Sequence, residues 1–382
     1  MSKNNHNFPV LGNKTESIIE KFEFSNNSSP KAVISGKPYT IFNSNDYLGL
    51  RFHPELIAAE HQGSKTFGTG PGAVRFISGS LQVHRDLEQA IARFHGREDA
   101  MIFSSAFSAN FSTIPALSDS KTLTISDKLN HRSIIDGIRA ASLPSENRQI
   151  YRHLDYDHLS EILTQNAGKF TRCLIISDGV FSMLGEIVNL KRLRQICDEF
   201  NSLYPDGVLL YIDDAHGVGV IGNTGRGTEE YCQAQADVLC GTLGKAFGCD
   251  GGYITASKTI ISFLRESAAG YIYSNNLSPG TASAALTSIN LVASQKGQTI
   301  LKKLHSNMRF LGVKHAIKPV IMGSPKKTLE LKQKLFDQGI LVTAINYPVV
   351  PQDADEIRLQ LSASQSQTEI KTLLSLLDDS HS

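Results

Sequence analysis

The stretch DVLCGTLGKAFGCDGGYI, Asp237 to Ile254, decides how this chain is read. An apolar run from Val238 to Cys240 gives way to small residues and a lone lysine, Lys245, before more glycines and a second apolar run. Short β-rich runs bounded by glycine are the mark of buried strands, and Lys245 stands just past the end of one. Most lysines lay their stem along a surface and leave the ammonium in water. Here the small neighbours give such a stem little to cover. A lysine held beside a desolvated pocket has a lowered pKa and can act as a nucleophile or Schiff-base former.

Outward from this stretch the same texture recurs. DAMIFSS (99–105), KTLTISD (121–127), RCLIISD (172–178), VLLYIDD (208–214) and GGYITAS (251–257) all read as strands. Helical patterns lie between several of them. HRDLEQAIARFHG sets Leu87, Ile91 and Phe94 on one face and stops at Gly96. LKRLRQICDEFNS does the same with Leu190, Leu193, Ile196, Cys197 and Phe200. Strands alternating with helices predict an α/β fold, a largely parallel sheet covered on both faces. After about Ser278 come a small-residue helix, TASAALTSINLVAS, and then IKPVIMG, LELKQKLFDQG, ILVTAI and EIRLQLSA, which predict a smaller α+β unit. The expected organisation is a polar arm over 1–44, a large domain over 45–278 and a smaller one over 279–382.

The chain has 382 residues, with 38 basic and 37 acidic side chains. That balance leaves no electrostatic footprint for nucleic acid or an anionic membrane, so an anionic ligand must be held by local chemistry. Five cysteines without a CxxC pair predict free thiols in a reducing cytoplasm. The opening MSKNNHNFPVLGNKTE lacks an apolar core, so no secretory signal is expected. No apolar run approaches the ~18 residues of a membrane span. The twelve histidines show no zinc spacing, and no metal site is expected.

Each strand of the large unit ends in polar or small residues: SSAFSAN, DKLNH, DGVFSM, DDAHG and TLGK. In open α/β sheets ligands bind in the crevice at the carboxyl ends of the strands, so these ends converge on one site. Taken singly, each has an ordinary explanation. Asp213 and Asp214 can be a cap or turn, or a buried carboxylate that pins a cation. His131 and His216 can each be core histidines; together they are candidates for contacting a planar heteroaromatic ligand. Ser104, Ser105, Ser182 and Thr242 suit phosphate oxygens beside a helix N-terminus, or plain capping. GVGVIG (217–222) matches a dinucleotide fingerprint but lacks the strand-to-helix context, and GTLGK lacks the spacing of a P-loop.

NSNDYLGL, VRFISGSLQVHRDLE, LNHRSIIDG, DGVFSMLGEI, DDAHGVGVIGNTGRGT and GTLGKAFGCDGG closely resemble the α-oxoamine synthases. These are pyridoxal-phosphate enzymes of the aspartate-aminotransferase fold (fold type I), and the resemblance runs from about Asn43 to the C-terminus. It implies a PLP-dependent acyltransferase that joins a small amino acid to an acyl-CoA, with decarboxylation, to give an α-amino ketone. Lys245 matches the lysine that forms the Schiff base with pyridoxal 5'-phosphate, and Asp213 the partner of the pyridine nitrogen. His216 resembles the histidine beside the cofactor's phenolic oxygen, His131 the one stacked on its ring, and Ser182 a further hydroxyl near that oxygen. Ser105, Ala106, Phe107 and Thr242 match phosphate contacts. Ser274 and Asn275 match a segment that reaches the phosphate of a partner subunit, so a homodimer is implied. Arg358 matches the arginine that grips the substrate carboxylate, and Asn45 and Ser78 are further candidates for substrate contact.

The sequence departs from the family at Ala106, where glycine is common, and at Gly244, where serine is common. Pro71 stands in the glycine-rich TGPGAVRF loop, and Arg132 follows His131 where alanine is frequent. The NMRFLGVKHAIKPV join is shorter than in relatives. These departures bear on which substrates are taken. Within the same fold the alternatives are a synthase of a ketone signal from a medium-chain acyl-CoA and an aminotransferase or aldolase that does not use CoA. A silent partner subunit is a fourth reading, which the presence of Lys245, Asp213 and His216 opposes.

Overall fold

The computed structural model describes residues 26–28, 30–347 and 349–378, so most of the expected arm lies outside the described residues. The described chain opens with three short strands, β1 (Asn26–Ser28), β2 (Lys31–Ile34) and β3 (Lys37–Ile41), paired antiparallel in sequence order. Then come β4 (Asp99–Phe103), β5 (Thr122–Asp127), β6 (Arg148–Tyr151), β7 (Arg172–Asp178), β8 (Val208–Asp213), β9 (Val238–Thr242) and β10 (Gly252–Ala256). These seven form the main sheet in the order β4-β10-β9-β8-β7-β5-β6. The sheet is parallel apart from β10, which runs antiparallel to both neighbours.

β5, β9 and β10 are buried at every position, which is why their sequences are unbroken apolar or small runs rather than alternating ones. Successive side chains still point to opposite faces. In β7, Ile175 enters a core with Leu159, Leu193 and Ile196, while Leu174 and Ile176 enter another with Ile114, Ile134 and Ile261. Helices on both faces supply those partners. The sequence reading had no strand at β6, an edge strand whose Ile150 is 64% exposed and which therefore lacks the apolar signature.

The carboxyl ends of the parallel strands line up. Asp178 ends β7 directly opposite Asp213 at the end of β8, and Thr242 at the end of β9 lies opposite Gly252. Beyond β4, Ser105 caps the helix Ala106–Ala116, its side chain accepting from the Ser108 N–H at 3.0 Å. That helix starts against Gly252. A Cβ there would overlap the Ala106 backbone, so glycine is what lets the helix N-terminus reach the sheet edge.

The last third of the chain carries β11 (Ile317–Ile321), β12 (Ile340–Leu341), β13 (Thr343–Ile345) and β14 (Glu356–Gln360). β11, β14 and β13 form a three-stranded antiparallel sheet. ILVTAI is thus two strands rather than one, because β12 instead pairs in parallel with β3. The loop after β3 is fastened to the segment after β14. Gln360 N donates to the Phe42 carbonyl at 2.8 Å, Ala363 N to that of Tyr47 at 2.7 Å, and Ser362 Oγ to that of Asp46 at 2.8 Å. The small-residue helix, Pro279–Ala293, packs on Pro54–Phe67, and a Cβ at Gly63 or Gly280 would collide with the facing helix.

Candidate active site

A cavity of about 310 Å³ opens at the aligned strand ends. Asp213, His216, Thr242 and Lys245 line it from the sheet, and Ser105, Ala106 and Phe107 from the helix N-terminus. His131, Ser182 and Asn45 also line it. The first N–H groups of a helix have no partner in their own turn, so Ala106 and Phe107 bring to the cavity the end of the helix that suits an anion.

Lys245 Nζ lies 2.8 Å from His216 Nε2. Burial pulls the lysine pKa down to about 8, although Asp213 and then Asp178 resist the change. His216 is itself buried, and that burial, with Lys245 and Arg358 nearby, holds its imidazole well below its ordinary range. Its Nδ1 lies 2.8 Å from the Tyr47 hydroxyl, and its carbonyl is 2.9 Å from His315 Nε2.

Asp213 is buried and fixed from two sides. Its Oδ1 accepts from the Ala215 N–H at 3.0 Å, and its Oδ2 from Asn110 Nδ2 at 2.5 Å. Asn110 also donates to Ser133 Oγ at 2.8 Å and accepts from the Tyr211 hydroxyl at 2.7 Å, which leaves its amide no freedom to turn. His131 caps the helix Arg132–Ala140 and places Nδ1 2.7 Å from Ser133 Oγ. Burial lowers its pKa against the pull of Asp213. Asp178, also in the cavity wall, accepts from the His131 N–H at 3.1 Å. Its carboxyl is pushed far above the carboxylate range by burial and then by the charge of Asp213.

The other candidates from the sequence lie apart from the cavity wall. Arg358 is buried on β14, its Nε donating to the Ser182 carbonyl at 2.6 Å. Ser78 is exposed at the end of the short helix Arg75–Ser78; Ser274 is half-buried and Asn275 exposed. Sequence reasoning assigned no role to Asp178, Tyr47, Asn110 or His315. Asp178 carried a signal, since it ends an apolar strand as Asp213 does. Asn110, a polar residue one turn into an apolar helix, carried a weaker one. Gly244 has room for a side chain, since a Cβ there would meet Thr242 Oγ1 at 3.5 Å.

The aminotransferase class I and II family model matches residues 37–377. The chain is 38% identical over 364 residues to the 8-amino-7-oxononanoate synthase of Geotalea daltonii, covering 91% of this chain and 90% of that one. It is also 38% identical over 354 residues to the 2-amino-3-ketobutyrate coenzyme A ligase of Escherichia coli K12, covering 88% and 86%. Among solved structures, serine palmitoyltransferase from S. paucimobilis with a bound PLP–myriocin aldimine superposes with a TM-score of 0.87 at 26% identity, covering 94% of this chain and 92% of that one.

Proposed function

The chain belongs to the aminotransferase class I and II family, in its α-oxoamine synthase branch, and on that premise we propose how its own residues divide the work. The fold is that of a type I PLP-dependent transferase, and the cofactor is pyridoxal phosphate. The activity is the condensation of a small amino acid with an acyl-CoA, with loss of carbon dioxide, to give an α-amino ketone.

The residues present suit that cofactor. An aldehyde needs an amine with little proton affinity, which Lys245 offers. A protonated pyridine nitrogen needs a buried carboxylate with an oxygen lone pair to spare, which Asp213 offers. A phosphate needs N–H and hydroxyl donors, which the start of the helix Ala106–Ala116 with Ser105 offers, and which Thr242 joins once its hydroxyl turns from the Gly251 carbonyl, to which it donates at 3.1 Å. When bound, pyridoxal phosphate supplies an electron sink for the charge left on the amino-acid carbon.

Around it the chain's own groups take defined parts. Lys245 holds the cofactor through its amine and, once released, takes the proton from the amino acid's α-carbon. Asp213, kept in place by Asn110, holds the pyridine-nitrogen proton. His131 covers the ring face, and His216 and Ser182 take the phenolic side. Arg358 presents a guanidinium to the substrate carboxylate, with Asn45 and Ser78 as further substrate contacts.

The observation that carries this reading is the 2.8 Å approach of Lys245 to His216 in a cavity also walled by buried Asp213. The test is titration of the holoenzyme with a panel of amino acids followed by acyl-CoAs of graded length, reading thiol release. Spectral response to an amino acid with thiol release from no acyl-CoA overturns it.

The working form is a homodimer. Phe76, Ile77 and Tyr273 are each more than 60% exposed, and the rings of Phe76 and Tyr273 meet edge to face at 5.5 Å. Such an apolar group on a surface marks a contact site, and Ser274 and Asn275 follow Tyr273 directly. The division into 1–44, 45–278 and 279–382 is kept as part of this proposal; the main sheet ends at Ala256 and the smaller sheet begins at Ile317, so a change of sheet falls between them. All five cysteines are free, which suits the cytoplasm, and no described helix is long and apolar enough to cross a membrane.

A further inference from the structure

A second residue of the NDYLGL segment governs the site without lining the cavity. Tyr47 is fully buried, with its hydroxyl 2.8 Å from His216 Nδ1 and 3.2 Å from Asn45 Oδ1. The opposite nitrogen of His216, Nε2, lies 2.8 Å from Lys245 Nζ. Three hydrogen bonds therefore run in line from Asn45 to Lys245.

Donor and acceptor chemistry gives this line a direction. A charged lysine only donates, so Lys245 gives a proton to Nε2. Burial keeps His216 neutral, with one proton for two nitrogens, and that proton must then sit on Nδ1. Nδ1 donates to the Tyr47 oxygen. Burial holds the Tyr47 hydroxyl proton, its pKa pushed up to about 12, and that proton goes to the amide oxygen of Asn45, which can only accept. The Arg358 guanidinium, also a pure donor, acts on the Tyr47 oxygen as well and reinforces the same direction.

We propose that Tyr47 is a positioning residue that, backed by Asn45, fixes His216 in its Nδ1–H form and so offers Lys245 a bare Nε2. The charged and titratable groups around this line are His131, His315, Arg358, Asp213, Asp178 and Cys240, and none of them replaces the Tyr47 oxygen at Nδ1. The catalytic consequence rests on the function proposed above: when Lys245 has taken a proton, Nε2 is ready to hold it. The tautomer itself does not rest on that function.

The test is nitrogen-15 NMR of the full-length chain freed of cofactor and labelled at histidine, with His216 assigned by His216→Gln. The wild type is expected to show a protonated Nδ1 and a bare Nε2 near pH 7. Tyr47→Phe keeps the ring but leaves a buried Nδ1–H without a partner, so the proton moves to Nε2 and faces a neutral Lys245 amine. The Lys245 titration midpoint then falls by about one unit. In the holoenzyme the acid limb of thiol release moves to lower pH with it. Asn45→Ala frees the Tyr47 proton to turn toward Nδ1 and shifts the tautomer the same way, which keeps the test alive if Tyr47→Phe does not fold. A wild-type His216 protonated at Nε2, or variants that leave tautomer and titration unchanged, overturns the proposal. A tautomer that follows Tyr47 in a holoenzyme that releases thiol from no acyl-CoA leaves this inference standing and removes the functional one.

Discussion

Asp178 and Asp213 stand side by side in register at the carboxyl ends of neighbouring parallel strands, and each is held by partners of its own. Burial, and then the Asp213 charge, push the Asp178 carboxyl well above the carboxylate range, whereas Asp213 is held by the Asn110 amide and the Ala215 N–H. Asp213→Asn is therefore expected to lower kcat roughly 10²- to 10³-fold, the scale of a lost electrostatic partner. Asp178→Asn keeps an acceptor for the His131 N–H and should cost less than about tenfold. Steady-state kcat for the two variants decides the matter, and equal losses would refute this division of roles.

Lys245 should meet the cofactor as a neutral amine. Because burial draws its pKa to about 8, the second-order rate of cofactor capture is expected to climb with pH and level off just above that value. A rate still rising at pH 10 would mean an ordinary, solvated lysine. Lys245→Ala should bind cofactor loosely and yield no borohydride-reducible link, read by mass spectrometry of the reduced protein.

Gly252 is a place where one methyl group should reach the site from outside it. A Cβ there overlaps the Ala106 backbone, so Gly252→Ala must push the helix N-terminus away from the strand ends. Overpacking of this kind costs about 1–3 kcal/mol of stability, measurable by urea unfolding. The cofactor Kd should rise in parallel, since the displaced N–H groups are the ones assigned to the phosphate.

His153 bridges two carboxylates, with Nδ1 2.8 Å from Asp127 and Nε2 2.9 Å from Glu186. Burial opposes its charge, but the hydrogen bonds to Asp127 and Glu186 carry its pKa above the ordinary value. A histidine raised in the folded state adds stability that is whole below its unfolded pKa, about 6.5, and is lost as pH rises through the folded one. The Tm gap between wild type and His153→Gln is thus expected to be widest at pH 6 and to shrink by pH 9. A gap that widens with pH would mean the imidazole acts uncharged.

Phe76→Glu should turn the proposed dimer into monomer in sedimentation equilibrium, because a carboxylate beside Tyr273 cannot be buried without a partner. An unchanged mass would place the contact elsewhere.

The buried strands of the main sheet were legible in the sequence because burial on both faces forces long apolar runs, as in RCLIISD and VLLYIDD. β6 was not, since an edge strand keeps half its side chains in water. Nor was the split of ILVTAI, which depends on β3 arriving from three hundred residues away. Within the site, residues at strand ends could be found by position along the chain. Tyr47 and Asn110 could not, because each acts through a partner that is distant in sequence, His216 and Asp213, and no local pattern announces such a pairing.

The fastening of Phe42–Tyr47 to Gln360–Ala363 has a bearing on how the protein is made. The segment that carries Asn45 and Tyr47 leaves the ribosome early, yet the strands that anchor it are among the last to be synthesised. A nascent chain can assemble the main sheet and still lack a settled hydroxyl beside His216. Cofactor loading should accordingly be a late event, complete only after release, and a stop codon shortly before Glu356 should yield a chain that captures cofactor poorly however well its large sheet has formed.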